Sequence, residues 1–160
     1  MMNKWHTRWL AMAKLVASWS KDPSTKVGCV IVDPHNQALV SIGFNGFPRG
    51  VREEAPLAPH LDPGRWSRPD KYHWVEHAER NAIFNAARLG IATQGCWAYM
   101  NYAPEPCADC ARAFVQAGIT KLIGNTRTFD GKGRDVHYEV STIAQTILHE
   151  GLVDILEVTL

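Results

Sequence analysis

Two short stretches, His77-Ala78-Glu79 and Pro106-Cys107-Ala108-Asp109-Cys110, offer one imidazole, two thiols and a carboxylate. The imidazole and the thiols are donors suited to a catalytic zinc, which prefers four tetrahedral ligands and keeps one position for water. Glu79 then serves as a base rather than as a ligand. Cys107 and Cys110 stand three apart, so a helix starting here puts both thiols on one face of its first turn. A helix N-terminus also favours thiolate, the form that binds metal. A structural zinc module is the alternative, yet such sites use four protein ligands, and no fourth is evident beside these three.

Helices must hold both stretches. His77 opens one in which Ala78, Ala82, Ile83 and Ala86 keep an apolar face to about Leu89, and Gly90 supplies the stop. A second helix follows Cys107, with Ala111, Phe114 and Val115 inward and Gly118 at its end. Before them, Trp5, Trp9, Met12, Val16 and Trp19 recur at steps of four and three and predict an amphipathic helix over 4–20, ended by Pro23. Its tryptophans are expected to form a core stripe or a subunit contact. The runs 27–32 and 38–44, joined by Asp33-Pro34-His35-Asn36-Gln37, read as a β-hairpin. Further strands are expected over 95–101, 121–123 and 152–158. Val140, Ile143, Ala144, Ile147 and Leu148 mark a helix between the last two, which should be parallel because a crossover joins them. The order predicts a three-layer α/β domain with a mixed five-stranded sheet and helices on both faces.

The segment 46–75 reads as a long insertion without regular structure, carrying Pro56, Pro59, Pro63 and Pro69. Such loops in compact domains often serve as lids or binding loops. Its Arg49, Arg52, Arg65 and Arg68 could meet phosphate, and a solvated surface is the equal alternative for each.

At 160 residues the chain is expected to form one domain that buries roughly two-thirds of its unfolded surface. Lys and Arg number 17 against 16 Asp and Glu, so no bulk positive field holds long nucleic acid, and a small substrate is expected. Cys29 and Cys96 lie in apolar runs and read as buried free thiols in a reducing cytosol. No stretch approaches the roughly 20 apolar residues of a membrane span, and Met1-Met2-Asn3-Lys4-Trp5-His6 lacks a signal-peptide core. A cytoplasmic protein with no membrane partner is expected.

H-x-E followed by P-C-x-x-C is a known signature of zinc nucleobase deaminases. With that motif and this element order, the whole chain resembles the cytidine deaminase superfamily. Within it the chain is similar to the deoxycytidylate (dCMP) deaminases, through Ser24-Thr25-Lys26-Val27-Gly28, Gly43-Phe44-Asn45-Gly46 and His77-Ala78-Glu79-Arg80-Asn81-Ala82-Ile83. The resemblance implies hydrolysis of dCMP to dUMP and ammonia, supplying dUMP for thymidylate synthesis. One catalytic zinc would sit on His77, Cys107 and Cys110, with Glu79 as proton carrier. It further implies that Asn45 contacts the sugar 3′-hydroxyl and that the Ala78 N–H reaches the pyrimidine carbonyl. By position, Ser24 and Lys26 could hold the 5′-phosphate. Arg88 falls where the family contacts nucleotide, with a solvated surface as the equal alternative for Lys26, Arg49 and Arg88.

Two positions depart from the family pattern. Phe129 stands where a tyrosine is usual, which keeps stacking on the base and loses a hydroxyl. Phe44 replaces the tyrosine of a G-Y-N-G loop implicated in effector binding. Many dCMP deaminases are oligomers activated by dCTP and inhibited by dTTP, so a homo-oligomer is expected and control by these nucleotides is open. Some members carry a second zinc, for which His60 and His73 show no regular ligand spacing. The zinc chemistry alone also admits dCTP, 5-methyl-dCMP, another nucleobase or a tRNA as substrate, since those differ only in pocket contacts.

Overall fold

The computed structural model describes residues 4–53, 64–125 and 134–159, the stretch 134–141 by its backbone alone. After α1 (Lys4–Ala17) come β1 (Gly28–Asp33), β2 (Ala38–Phe44), the short α2 (Lys71–Trp74) and α3 (Ala78–Arg88). Then follow β3 (Trp97–Met100), α4 (Ala108–Gln116), β4 (Lys121–Asn125), α5 (Arg134–Glu150) and β5 (Asp154–Val158). The sheet order is β2-β1-β3-β4-β5. β1 is antiparallel to both β2 and β3, whereas β3, β4 and β5 run parallel. The mixed five-stranded sheet and its parallel last pair agree with the sequence. Among the described residues no helix is long and apolar enough to cross a membrane.

Alternation along the central strands sends side chains to two cores. Val30 and Val32 of β1, Tyr99 of β3, Ile123 of β4 and Val158 of β5 meet α1. Cys29 and Ile31, with Ala98, Met100 and Leu122, meet α3, α4 and α5 through Ala78, Ala82, Ala111, Phe114, Ala144 and Leu148. β1 reads as an unbroken apolar run because both its faces are covered. Burying a side chain such as Phe114 contributes about 1.5–3 kcal/mol. Cys29 and Cys96 are buried and unbridged, as expected.

Two glycines let helices approach the sheet. A Cβ on Gly28 would stand 2.2 Å from the Ala13 carbonyl oxygen of α1. One on Gly43 would stand 2.3 Å from both the Ala78 carbonyl oxygen and the Ala82 nitrogen of α3. Side chains complete the seating of α3 on the edge strand: Asn81 donates to the Phe44 carbonyl at 2.8 Å, Asn85 to that of Ile42 at 2.7 Å, and Ser41 to that of Ala82 at 2.7 Å. The two asparagine bonds satisfy carbonyls of the edge strand β2, and the Ser41 hydroxyl of that strand bonds back to an α3 carbonyl. The helix that begins at His77 is thus held along its length.

Three expectations change. α1 ends at Ala17, ahead of Pro23, because the chain tightens into i to i+3 bonds from Ser18, Trp19 and Ser20. Its buried face is Leu10, Ala13, Val16 and Ala17, with Trp9 and Met12 packed beside it; Trp19 is 48% exposed. Ala13 and Ala17 supply the small residues that contact with Gly28 requires, beside Val16, Trp9 and Met12 of the expected stripe, which do pack into the core. The segment 46–75 is not wholly irregular either, since it contains α2.

α2 is anchored by charge. Lys71, 4% exposed, donates to both oxygens of Asp22, 1% exposed, and to the Ser24 hydroxyl at 2.7 Å. Burial pushes the Asp22 carboxyl up, but the bond from Lys71, the Ser24 and Thr25 N–H groups and the Ser24 hydroxyl outweigh it and hold it below the ordinary value. A carboxylate depressed in the folded state stabilises the fold above its unfolded pKa, and that contribution is lost as pH falls through the folded value. Lys71→Met removes the strongest donor. It is expected to destabilise the protein by about 3–5 kcal/mol at neutral pH, since it leaves a buried charge unpaired. Urea titrations over a pH series should show the gap between variant and wild type narrowing towards acid pH. Protonating Asp22 removes the unpaired charge of the variant, while wild type loses the stabilising pair. An unchanged midpoint at neutral pH would remove this account of the pair.

Candidate metal centre

The site lies where the carboxyl ends of the parallel strands meet the starts of α3 and α4. His77 and Cys107 occupy the N-cap positions of these helices in extended conformation. Glu79 and Cys110 fall in their first turns. His77 Nδ1 is 3.4 Å from Cys107 Sγ and 3.3 Å from Cys110 Sγ, and the three ligand atoms all lie within 4.8 Å of one another. Among the described residues this is the one such cluster of three or more His, Cys, Asp or Glu. Zinc bonds of about 2.0–2.1 Å to nitrogen and 2.3 Å to sulfur, at tetrahedral angles, place ligand N and S atoms about 3.6 Å apart. The donors fit zinc in kind and in spacing.

Without metal the three groups share protons. Cys107 is lowered to about 4, first by the hydrogen bond from the Cys110 thiol and also by His77, against the effect of burial. The same bond, then burial, pushes the Cys110 thiol up. His77 is raised to about 9 by its bond to Cys107, and the nearby Glu79 and Glu76 add to this against burial. Ligation needs both sulfurs deprotonated, so metal uptake releases protons from the cluster.

Glu79 is 3% exposed. Its Oε1 accepts a hydrogen bond from the Tyr102 hydroxyl. Burial, then the charge of Glu79, pushes that hydroxyl well above its ordinary range, so it keeps its proton and donates. Before the helix, Glu76 accepts from the His77 N–H at 2.9 Å and from Arg80 at 3.0 Å. Its backbone exchanges two hydrogen bonds with Gly46. That bridge lays the Gly43–Gly46 stretch beside the centre.

The remaining expected site residues divide. Ala78 is buried at the first helical position, where backbone N–H groups have no intrahelical acceptor. Asn45 is buried beside Asp22: its Nδ2 donates to Asp22 and to the Thr25 carbonyl, and its Oδ1 accepts from the Val27 N–H at 2.8 Å. Ser24 joins the same group through Asp22 and Lys71. Lys26 reaches the Ser20 carbonyl at 2.6 Å. Arg49 donates to Asn85 at 2.6 Å, on the side of α3 that faces β2, so it is engaged by the helix. Arg88 closes the last turn of α3, about 15 Å along the axis from the His77 end at 1.5 Å per residue, and does not join the centre. Phe44 is partly exposed and meets Trp19 edge-on at 6.2 Å between ring centroids. Phe129 and His60 lie outside the described residues.

Tyr102, Asp22 and Lys71 were absent from the expected set. An aromatic residue in the short proline-rich connection ahead of the cysteines was the available signal for Tyr102. Asp22 and Lys71 had none, because their pairing joins elements far apart in the chain.

The chain is similar to the uncharacterized deaminase in the luxG 3′ region of Aliivibrio fischeri, 42% identical over 130 residues, covering 81% of this chain and 78% of that one. It is 39% identical over 120 residues to the deoxycytidylate deaminase of Mus musculus, covering 75% of this chain and 64% of the mouse protein. The chain therefore spans somewhat less than two-thirds of the mouse relative. In fold it matches a dCMP deaminase of the cyanophage S-TIM5, solved with dCMP and dUMP, at a TM-score of 0.72 over 99% of both chains and 22% identity. A family model described as the cytidine and deoxycytidylate deaminase zinc-binding region matches residues 3–126, and the chain belongs to that deaminase family.

Proposed function

We propose that the protein hydrolyses dCMP to dUMP and ammonia, with zinc held by His77, Cys107 and Cys110 and with Glu79 carrying protons. The observation that carries this reading is the convergence of those three donors at two helix starts, with the buried Glu79 carboxylate in the same first turn as His77. The names of the mouse relative and of the phage enzyme support the choice of substrate.

Water alone does not displace ammonia from an aromatic amidine at neutral pH, because hydroxide is scarce and the ring nitrogen is a poor electron sink. When bound, zinc makes water acidic enough to supply a nucleophilic oxygen near neutrality. Glu79 takes the proton that this water releases and delivers it to ring N3 as the new C–O bond forms at C4. It then moves the second proton to the amino nitrogen as the C4–N bond breaks. Both protons of one water are thereby used, ammonia leaves, and the ring keeps a carbonyl at C4. One carboxylate acts as base and then as acid.

The Ala78 N–H is assigned to the pyrimidine carbonyl. Asn45 Oδ1 keeps one lone pair beyond its bond from Val27, and the sugar 3′-hydroxyl donates to it. Ser24 and Lys26 stand at the 5′-phosphate end, on the loop that Asp22 braces. A homo-oligomer, and control by dCTP or dTTP, belong to the same reading.

The test is ammonia release by zinc-loaded protein from dCMP, CMP, deoxycytidine, dCTP, 5-methyl-dCMP, guanine and tRNA, repeated for dCMP with dCTP or dTTP added. dCMP is expected to lead the panel. Turnover of another compound with dCMP untouched would keep the zinc chemistry and overturn the substrate.

A further inference from the structure

The Glu79 carboxylate has two oxygens, and one is already engaged by a residue outside both motifs. Tyr102 lies in the connection from β3 to α4, and its hydroxyl donates to Glu79 Oε1. The backbone that presents this hydroxyl is clamped from several sides. The Tyr102 carbonyl accepts from the Asn125 N–H at 3.0 Å, at the end of β4. Gly124 approaches so closely that a Cβ there would stand 2.2 Å from that same carbonyl oxygen. The preceding Asn101 accepts from the Gly28 N–H at 2.8 Å and donates to the Lys26 carbonyl at 3.2 Å. Pro104, two residues on, is fully buried. The hydroxyl is thus delivered by backbone tied to β1 and β4, while Glu79 is delivered by α3.

A carboxylate side chain has three rotatable bonds, and the first turn of a helix does not by itself choose among its rotamers. A single fixed donor on Oε1 removes that freedom and leaves Oε2 to exchange protons. We propose that Tyr102 is a positioning residue for the reaction: its hydroxyl holds Glu79 in the one orientation from which the second oxygen can move protons between water, ring nitrogen and amine. This inference rests on the reading of Glu79 as the proton carrier. Tyr102 itself transfers no proton and contributes only a directed hydrogen bond, so phenylalanine is the matched replacement.

The test compares zinc-loaded wild type with Tyr102→Phe in steady-state kinetics, zinc content, thermal melting and Raman difference spectra. The expected result is a fall in kcat on the order of 10–100-fold, the scale of one hydrogen bond to a charged group. KM should hold within about threefold, because an interaction acting on the chemical step changes kcat and not uniform binding. Zinc content and melting should match wild type. The wild type minus Y102F Raman spectrum should carry the signature of a tyrosine donating to a carboxylate, and that signature should weaken in Glu79→Gln. The proposal is overturned by a kcat within about twofold of wild type, or by a raised KM at unchanged kcat. Early melting or lost zinc in Y102F would assign the hydroxyl to the fold instead and equally overturn it. Should wild type leave dCMP untouched, the substrate reading fails alone, and the variant is compared on whichever compound wild type deaminates. If none is turned over, a tyrosine signature indifferent to Glu79→Gln ends the inference.

Discussion

Glu79→Gln is expected to lower kcat for dCMP by about 10²–10⁴-fold, the range that positioned proton transfer contributes, while KM stays within a few-fold. Glutamine keeps the shape of the side chain and still accepts from Tyr102, but it cannot take up and return a proton. Zinc bound to two thiolates has its positive charge cancelled by its own ligands and is a weaker electrophile than zinc on three imidazoles. More of the barrier must then be lowered by moving protons, which is why the largest single loss is placed here. Because glutamine fills the same buried space in the first turn of α3, melting temperature and zinc content should be unchanged. Ammonia release in single-turnover conditions, with zinc measured on the same sample, checks this. A kcat within tenfold of wild type would return Glu79 to a structural role.

Cys110→Ser is expected to abolish both bound zinc and turnover, and Cys107→Ser to do the same. A serine hydroxyl stays protonated where a cysteine ligand is a thiolate, and it is a poor match for a metal that binds sulfur and nitrogen. Cys110 is 0% exposed, so no side chain can swing in from solvent to replace it. The loss extends to stability, because the ligands come from α3 and α4 and meet only in the folded chain. A ligand that binds only the native state at a thousand times its Kd contributes about 4 kcal/mol. Treatment with a chelator should therefore lower the melting temperature, and returning zinc should restore both melting and activity. Elemental analysis beside a thermal melt reads the outcome. Full deamination by a protein stripped of metal would dispose of the zinc reading.

The parts of this protein that its sequence determines are those whose geometry is local. Cys107 and Cys110 stand three apart at a helix start, which puts both thiols on one side, and His77 and Glu79 both fall within the cap and first turn of the other site helix, α3. Apolar periodicity likewise marks α3, α4 and α5, and a helix between β4 and β5 requires those strands to be parallel. Other features were decided by contacts between distant segments. Ala13 and Ala17 occupy the part of α1 that meets Gly28, where nothing larger fits, and Trp19 falls beyond the helix end at Ala17 and outside the core. Asn45 is largely occupied by Asp22, Thr25 and Val27. Arg88 belongs to the site's helix but to its far end. Lys71 meets Asp22 across 49 residues, and Tyr102 meets Glu79 across 23. A hydrogen bond between such pairs depends on how the sheet orders the segments between them. No periodicity or spacing encodes that path, so only the tertiary structure could place the hydroxyl of Tyr102 on the carboxylate of Glu79.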